Sequence, residues 1–108
     1  MSAKLLQLNF HFSTSADEYE EAVSALAGAF AEVPGLRWKV WLMNESENEA
    51  GGIYLFQDES SRQQFLESDL AAMVMAHPAL SGFSAKPFDV MENLTAITRG
   101  PVGETVEI

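Results

Sequence analysis

Residues 4–12 alternate, with Leu6, Leu8, Phe10 and Phe12 on one side and Gln7, Asn9 and His11 on the other. A period of two predicts a strand with one covered face. Ser13-Thr14-Ser15 breaks the alternation. Ser15, followed three residues later by Glu18, forms a capping box that opens a helix over about 16–32. Asp17, Glu18, Glu20 and Glu21 suit the positive end of that helix dipole, while Tyr19, Val23, Leu26, Ala27 and Phe30 recur at helical spacing as its buried stripe. Pro34-Gly35 then forces a turn.

A second strand is predicted over 36–43, with Leu36, Trp38, Val40 and Leu42 on one face and Arg37, Lys39, Trp41 and Met43 on the other. Polar residues 44–49 connect it as a hairpin to a third strand over 50–57, in which Ile53 and Leu55 alternate with Gly52, Tyr54 and Phe56. The Gly51-Gly52 pair marks a bulge or a close approach by another backbone or a ligand. Asp58 caps a helix running to about 68, and a short helix over 69–76 ends at His77-Pro78. The fourth strand spans 83–90, and Pro87, which has no N–H for the ladder, puts it at a sheet edge. The order β-α-β-β-α-β predicts an α+β, ferredoxin-like antiparallel sheet with helices on one face. That covered face is assigned to Leu6, Leu8 and Phe10, to Trp38, Val40 and Leu42, and to Ile53 and Leu55. Residues 1–99 are expected to form a single domain and residues 100–108 a C-terminal tail.

Composition narrows the function classes. The 108 residues contain no Cys, which excludes disulfides, thiolate metal sites and a cysteine nucleophile. A formal charge of −10 disfavours nucleic acid and anionic membrane surfaces. No signal-like or membrane-spanning apolar run is present, so a cytoplasmic location is expected. Two distant histidines with no third ligand near either predict no metal site, and the absence of GxGxxG, P-loop, GxSxG and HExxH patterns leaves cofactors without support.

With these strand assignments the uncovered face carries Gln7, Asn9, His11, Arg37, Lys39, Trp41, Tyr54, Phe56, Lys86 and Phe88. An aromatic patch of that size marks an interface or a ligand site, and a second copy of the sheet would cover it, making a homodimer with a cavity between the sheets. Arg37, Lys39 and Lys86 would make that cavity prefer a small aromatic or anionic ligand. Each residue also has a plainer reading. His11 has the chemistry of a general base, but a single His on an inward strand face more often serves as a hydrogen-bonding spacer. Trp38 is expected in the core and Trp41 in the barrel, stacking on a flat ligand or filling the interface. Tyr54 donates a hydrogen bond to a ligand or packs between subunits. Lys39 and Lys86 hold an oxyanion or make intersubunit salt bridges, for instance with Asp89 or Glu92. His77 reads as structural.

The segments Pro34-Gly35-Leu36-Arg37-Trp38-Lys39-Val40-Trp41 and Glu49-Ala50-Gly51-Gly52-Ile53-Tyr54-Leu55-Phe56, with Leu6-Gln7-Leu8-Asn9-Phe10 and Lys86-Pro87-Phe88-Asp89-Val90, closely resemble the YdhR-like monooxygenases of the dimeric α/β-barrel superfamily over roughly residues 4–95. The resemblance implies a homodimeric barrel and a cofactor-independent monooxygenase acting on a small aromatic or polyketide-like substrate. Where relatives are expected to carry His in the first strand, this chain has Asn9, with His11 two places on. In such chemistry the substrate is deprotonated to an electron-rich anion that reacts with dioxygen, so the protein supplies a base, an oxyanion partner and a dry pocket. His11, Asn9, Tyr54 and Lys86 are the catalytic candidates, and Gln7, Lys39, Trp41, Phe56 and Phe88 the substrate-binding ones. The alternative is a non-catalytic homodimer that binds a small ligand in the same fold.

Overall fold

The computed structural model describes residues 3–102, in the order β1 (Lys4–Phe12), α1 (Ala16–Ser24), α2 (Ala27–Ala31), β2 (Leu36–Asn44), a short 3-10 turn (Glu45–Glu47), β3 (Glu49–Phe56), α3 (Glu59–Leu66), α4 (Asp69–Met75), β4 (Leu80–Asp89) and α5 (Glu92–Ile97). The four strands form one antiparallel sheet in the spatial order β2-β3-β1-β4. This is the ferredoxin-like βαββαβ topology, and β4 with its Pro87 lies at an edge.

Local signals set the helix starts. The Ser15 hydroxyl accepts from the Glu18 N–H while the Glu18 carboxylate accepts from the Ser15 N–H, so the capping box forms as the sequence predicts. Asp58 and Ser68 cap α3 and α4 by single bonds, accepting from the Ser61 and Ala71 N–H groups. The helix expected over 16–32 is instead two helices. The Ser24 hydroxyl donates to the Glu20 carbonyl at 2.7 Å, a back-bond that competes with the helical ladder just before the break at Ala25 and Leu26. The fourth strand starts at Leu80 rather than residue 83 because Phe12 and His11 pair with Leu80 and Ser81 beyond a bulge in the β1–β4 ladder. The helix α5 was not expected from the sequence.

The helices cover one face, where Tyr19, Phe30, Phe65 and Ala71 pack on Leu6, Leu8, Phe10 and Phe12. Strand register decides what else lies there. Leu6 pairs with Tyr54 and Tyr54 with Lys39, while Leu8 pairs with Gly52 and Gly52 with Trp41. Lys39, Trp41, Tyr54 and Phe56 therefore face the helices, and Trp38, Val40, Leu42, Ile53 and Leu55 lie on the opposite face with Gln7, Asn9, Lys86 and Phe88. This reverses the expected faces of β2 and β3.

A bulge causes the reversal in β2. Leu36 pairs with Phe56, but Trp38 already pairs with Leu55, so two steps along β2 match one along β3. Leu36 and Lys39 thus share a face although they are three residues apart, a phase change that simple alternation cannot produce. In β3 the run Ile53-Tyr54-Leu55-Phe56 is apolar on both sides, so hydropathy has no preferred phase.

Trp38 is consequently not a residue of the main core. It packs, half-buried, with Ala3, Leu55, Val90 and Val102 on the second face, and its indole Nε1–H donates to the Pro101 carbonyl at 2.8 Å. Residues 103–108 of the expected tail lie outside the described residues.

Phe56, fully buried, and Trp38 should respond differently to substitution. Phe56→Ala is expected to cost about 3–5 kcal/mol, as large core truncations do, whereas Trp38→Phe, which keeps most of the packing and removes one hydrogen bond, should cost about 1 kcal/mol. Urea denaturation of both variants checks the assignment, since equal losses would contradict it.

Candidate functional site

Between the helices and the sheet lies a cavity of about 250 Å³, lined by Phe10 from β1, Lys39 and Trp41 from β2, Tyr54 from β3, Tyr19 and Val23 from α1, Phe30 from α2, Met73 and Val74 from α4, and Leu80 from β4, with Glu18 and His77 also on its wall. An apolar cavity of about 150 Å³ already accommodates benzene, so a larger ring system fits here.

The sequence places a cation in this apolar space. Lys39 Nζ lies 3.6 Å from the centre of the Phe30 ring, 3.5 Å from that of Trp41 and 4.5 Å from that of Tyr54. The indole of Trp41 meets Phe30 edge-on at 5.3 Å, and Tyr54 leans on Phe65 at 5.0 Å, so the cage walls are held by aromatic neighbours. Gly52 makes room for the lysine stem, since a Cβ there would come within 2.7 Å of Lys39 Cε. The close approach expected at the glycine pair is therefore real, and it is made by a side chain of this chain as well as by backbone. At Gly51 a Cβ would collide with the Leu8 carbonyl oxygen.

Burial works against charge throughout the cavity. It lowers the Lys39 amine from its ordinary value to about 7, while the three ring faces act in the opposite sense by favouring the ammonium. Among the described residues the ion pair formed is Lys4 with Asp89, at 2.8 Å, and no carboxylate compensates Lys39. Burial also pushes the Tyr19 hydroxyl up to about 12 and raises that of Tyr54, with a smaller contribution from Tyr19. Both phenols stay protonated at neutral pH and are available as donors.

Of the residues singled out by the sequence, the fold brings Lys39, Trp41 and Tyr54 together in this cavity. Phe56 is buried behind Tyr54, their rings stacked 6.1 Å apart, and it is absent from the cavity wall. Gln7, Asn9, Lys86 and Phe88 lie on the other side of the sheet, where the Gln7 amide donates to Asn9 Oδ1 at 3.0 Å, and His11 is exposed on β1 away from the cavity. Lys39 and Lys86 therefore do not share one pocket, and the partners suggested for Lys86 are engaged elsewhere: Asp89 with Lys4, and Glu92 accepting from the Ala3 N–H. Sequence reasoning missed the contributions of Tyr19, Phe30 and His77. His77 does have a structural role, its Nδ1 accepting from the Ala79 N–H at 3.1 Å, and that bond leaves an Nε2–H donor on the imidazole in its neutral form.

The fold and the cavity define a ferredoxin-like α+β protein with a ligand-sized space between helices and sheet. The chain belongs to the ydhR family, whose description is Putative mono-oxygenase ydhR and whose model matches residues 5–101. Solved structures share the fold. SnoaB, a cofactor-independent oxygenase from Streptomyces nogalater, is 19% identical with a TM-score of 0.69, over 85% of this chain and 96% of that one. A protein of unknown function from Nitrosomonas europaea is 19% identical with a TM-score of 0.72, over 84% and 91%. MhuD, a heme-degrader from Mycobacterium tuberculosis solved with two hemes bound in its active site, is 18% identical with a TM-score of 0.63, over 81% and 95%. No curated protein matches the sequence. Among the described residues no helix is long and apolar enough to cross a membrane.

Lys39 should leave a signature in stability. Its folded pKa of about 7 lies below its unfolded value, so the unfolded chain holds a proton that the folded chain has lost between roughly pH 7 and 10. The cost of burying the ammonium is present in full below pH 7 and is relieved as pH rises through that window. Urea unfolding at pH 6 and pH 9 should show wild-type stability rising relative to Lys39→Met, with the variant the flatter of the two.

Proposed function

We propose that the protein is a cofactor-independent monooxygenase whose substrate, a small aromatic or polyketide-like compound, binds in the cavity between helices and sheet. The observation that carries this reading is the uncompensated Lys39 amine on the wall of an aromatic cavity. An amine that titrates near the working pH suits general-base catalysis, because it is available in neutral form yet still basic enough to take a proton. Lys39 removes a proton from a phenol or enol, and the resulting ammonium, held against the ring faces, pairs with the anion it has made. The Tyr54 and Tyr19 hydroxyls donate to a substrate oxygen. The electron-rich anion then reacts with dioxygen.

Of the expected catalytic set of His11, Asn9, Tyr54 and Lys86, this reading keeps Tyr54 and moves the chemistry away from the other three. On the open face these residues belong instead to the proposed homodimer interface. That face exposes Val40 and Phe88, 49% and 44% accessible, beside Ile53, Leu42 and Trp38. A second copy laid sheet to sheet would cover them and bury at least about 1,200 Å² in all, the lower end of stable interfaces.

Oxygen consumption with a panel of phenols and hydroquinones tests the activity. Uptake should rise with pH through about 7 in wild type and fall at least about 100-fold in Lys39→Met, the scale of losing a general base. Binding without oxygen consumption would favour the non-catalytic ligand-binding alternative. For the dimer, light scattering should give twice the 11.8 kDa chain mass, and Val40→Glu should shift it toward the monomer.

A further inference from the structure

The amine that serves as a base when neutral has a second chemistry open to it. Neutral lysine is a nucleophile toward carbonyl carbon, and desolvation in an apolar pocket is one of the environments that activates it. Lys39 meets this condition in a way the other two lysines do not. Lys4 is ion-paired with Asp89, and Lys86 stands exposed on the opposite face of the sheet. Around Lys39 the apolar walls are Phe30, Trp41 and Tyr54, and the gap at Gly52 lets its stem lie flat against the sheet with Nζ at the cavity wall.

The geometry points to Lys39 as an imine-forming residue that captures an aromatic aldehyde or ketone in the cavity. The inference rests on the reading of the cavity as the substrate site. Nζ adds to the carbonyl carbon while the carbonyl oxygen takes up a proton, giving a carbinolamine. That oxygen then departs as water with the second hydrogen of the amine, leaving a C=N bond and requiring no oxidant or reductant. The rings that cage Nζ also stack the aromatic part of the ligand, and the protonated imine keeps a cation over the same faces. The other titratable groups at the cavity are Glu18 and Tyr19 from α1, Tyr54 from β3 and His77 after α4, with Arg37 nearby on β2. Burial that lowers the amine to about 7 agrees with reactivity at neutral pH.

The test is reductive trapping on the full chain. Wild-type protein is mixed with 2-hydroxybenzaldehyde at pH 7.5, reduced with sodium borohydride, and read by intact mass and peptide mapping. The expected result is a dominant adduct on Lys39, at least about ten-fold more abundant than on Lys4 or Lys86, given the larger neutral fraction of an amine with a lowered pKa. The adduct should disappear in Lys39→Arg and persist in Lys86→Arg. Labelling spread evenly over all amines, or none on Lys39, overturns the inference, and the wild-type peptide map decides this even if the Lys39 variant folds poorly. Oxygen uptake measured on the same samples separates the two proposals. Uptake that needs Lys39 without any trapped imine leaves the monooxygenase reading standing and ends this one, whereas trapping without uptake does the reverse.

Discussion

A single irregularity in the β2–β3 ladder, at Arg37, controls which side chains meet the helices. Before it Leu36 is turned toward the helical layer, and after it Lys39 and Trp41 are. A regular strand would have sent Trp38, Val40 and Leu42 inward and left Lys39 on the opposite face of the sheet. The aromatic cage and the uncompensated amine depend on that one extra residue, and bulges characteristically re-aim side chains next to functional sites.

The arrangement costs stability locally. An ammonium placed against ring faces without a carboxylate loses hydration that cation–π contacts restore only in part, and burial wins at neutral pH. The surrounding aromatic packing, with Phe30, Tyr54, Phe56 and Phe65 in mutual contact, supplies the apolar burial that lets the fold tolerate it. Gly52 contributes by leaving space where any side chain would press on Lys39 Cε.

Much of the fold was legible in the sequence because local signals were strong. The alternation of Leu6 to Phe12, the Ser15–Glu18 box, the Asp58 cap and the edge signal of Pro87 each act within a few residues, and each matches the structure. The faces of β2 and β3 were not legible, since a bulge is written in pairing rather than in hydropathy and Ile53 to Phe56 are apolar on both sides. The candidate site shared that fate in part. Lys39, Trp41 and Tyr54 line one cavity, because residues two apart on β2 and their β3 neighbour share a face whichever way the strands are turned. Asn9, His11 and Lys86 were grouped with them by parity alone, and the phase change separates the two sets. Tyr19 and Phe30 were read as core stripe residues of one helix, and nothing in the chain distinguishes a stripe that fills space from one that borders a cavity.

The edges of the sheet carry a consequence of their own. On β4 Pro87 has no N–H to offer a further strand, and Gly82, at φ +66°, takes a left-handed conformation that no regular strand adopts. At the far edge, β2 has its bulge at Arg37. Neither border offers another chain an unbroken row of backbone donors and acceptors. Growth of the sheet sideways into a fibre is thereby discouraged by covalent structure and register rather than by charge, and this protection persists in salt concentrations that would screen the acidic surface.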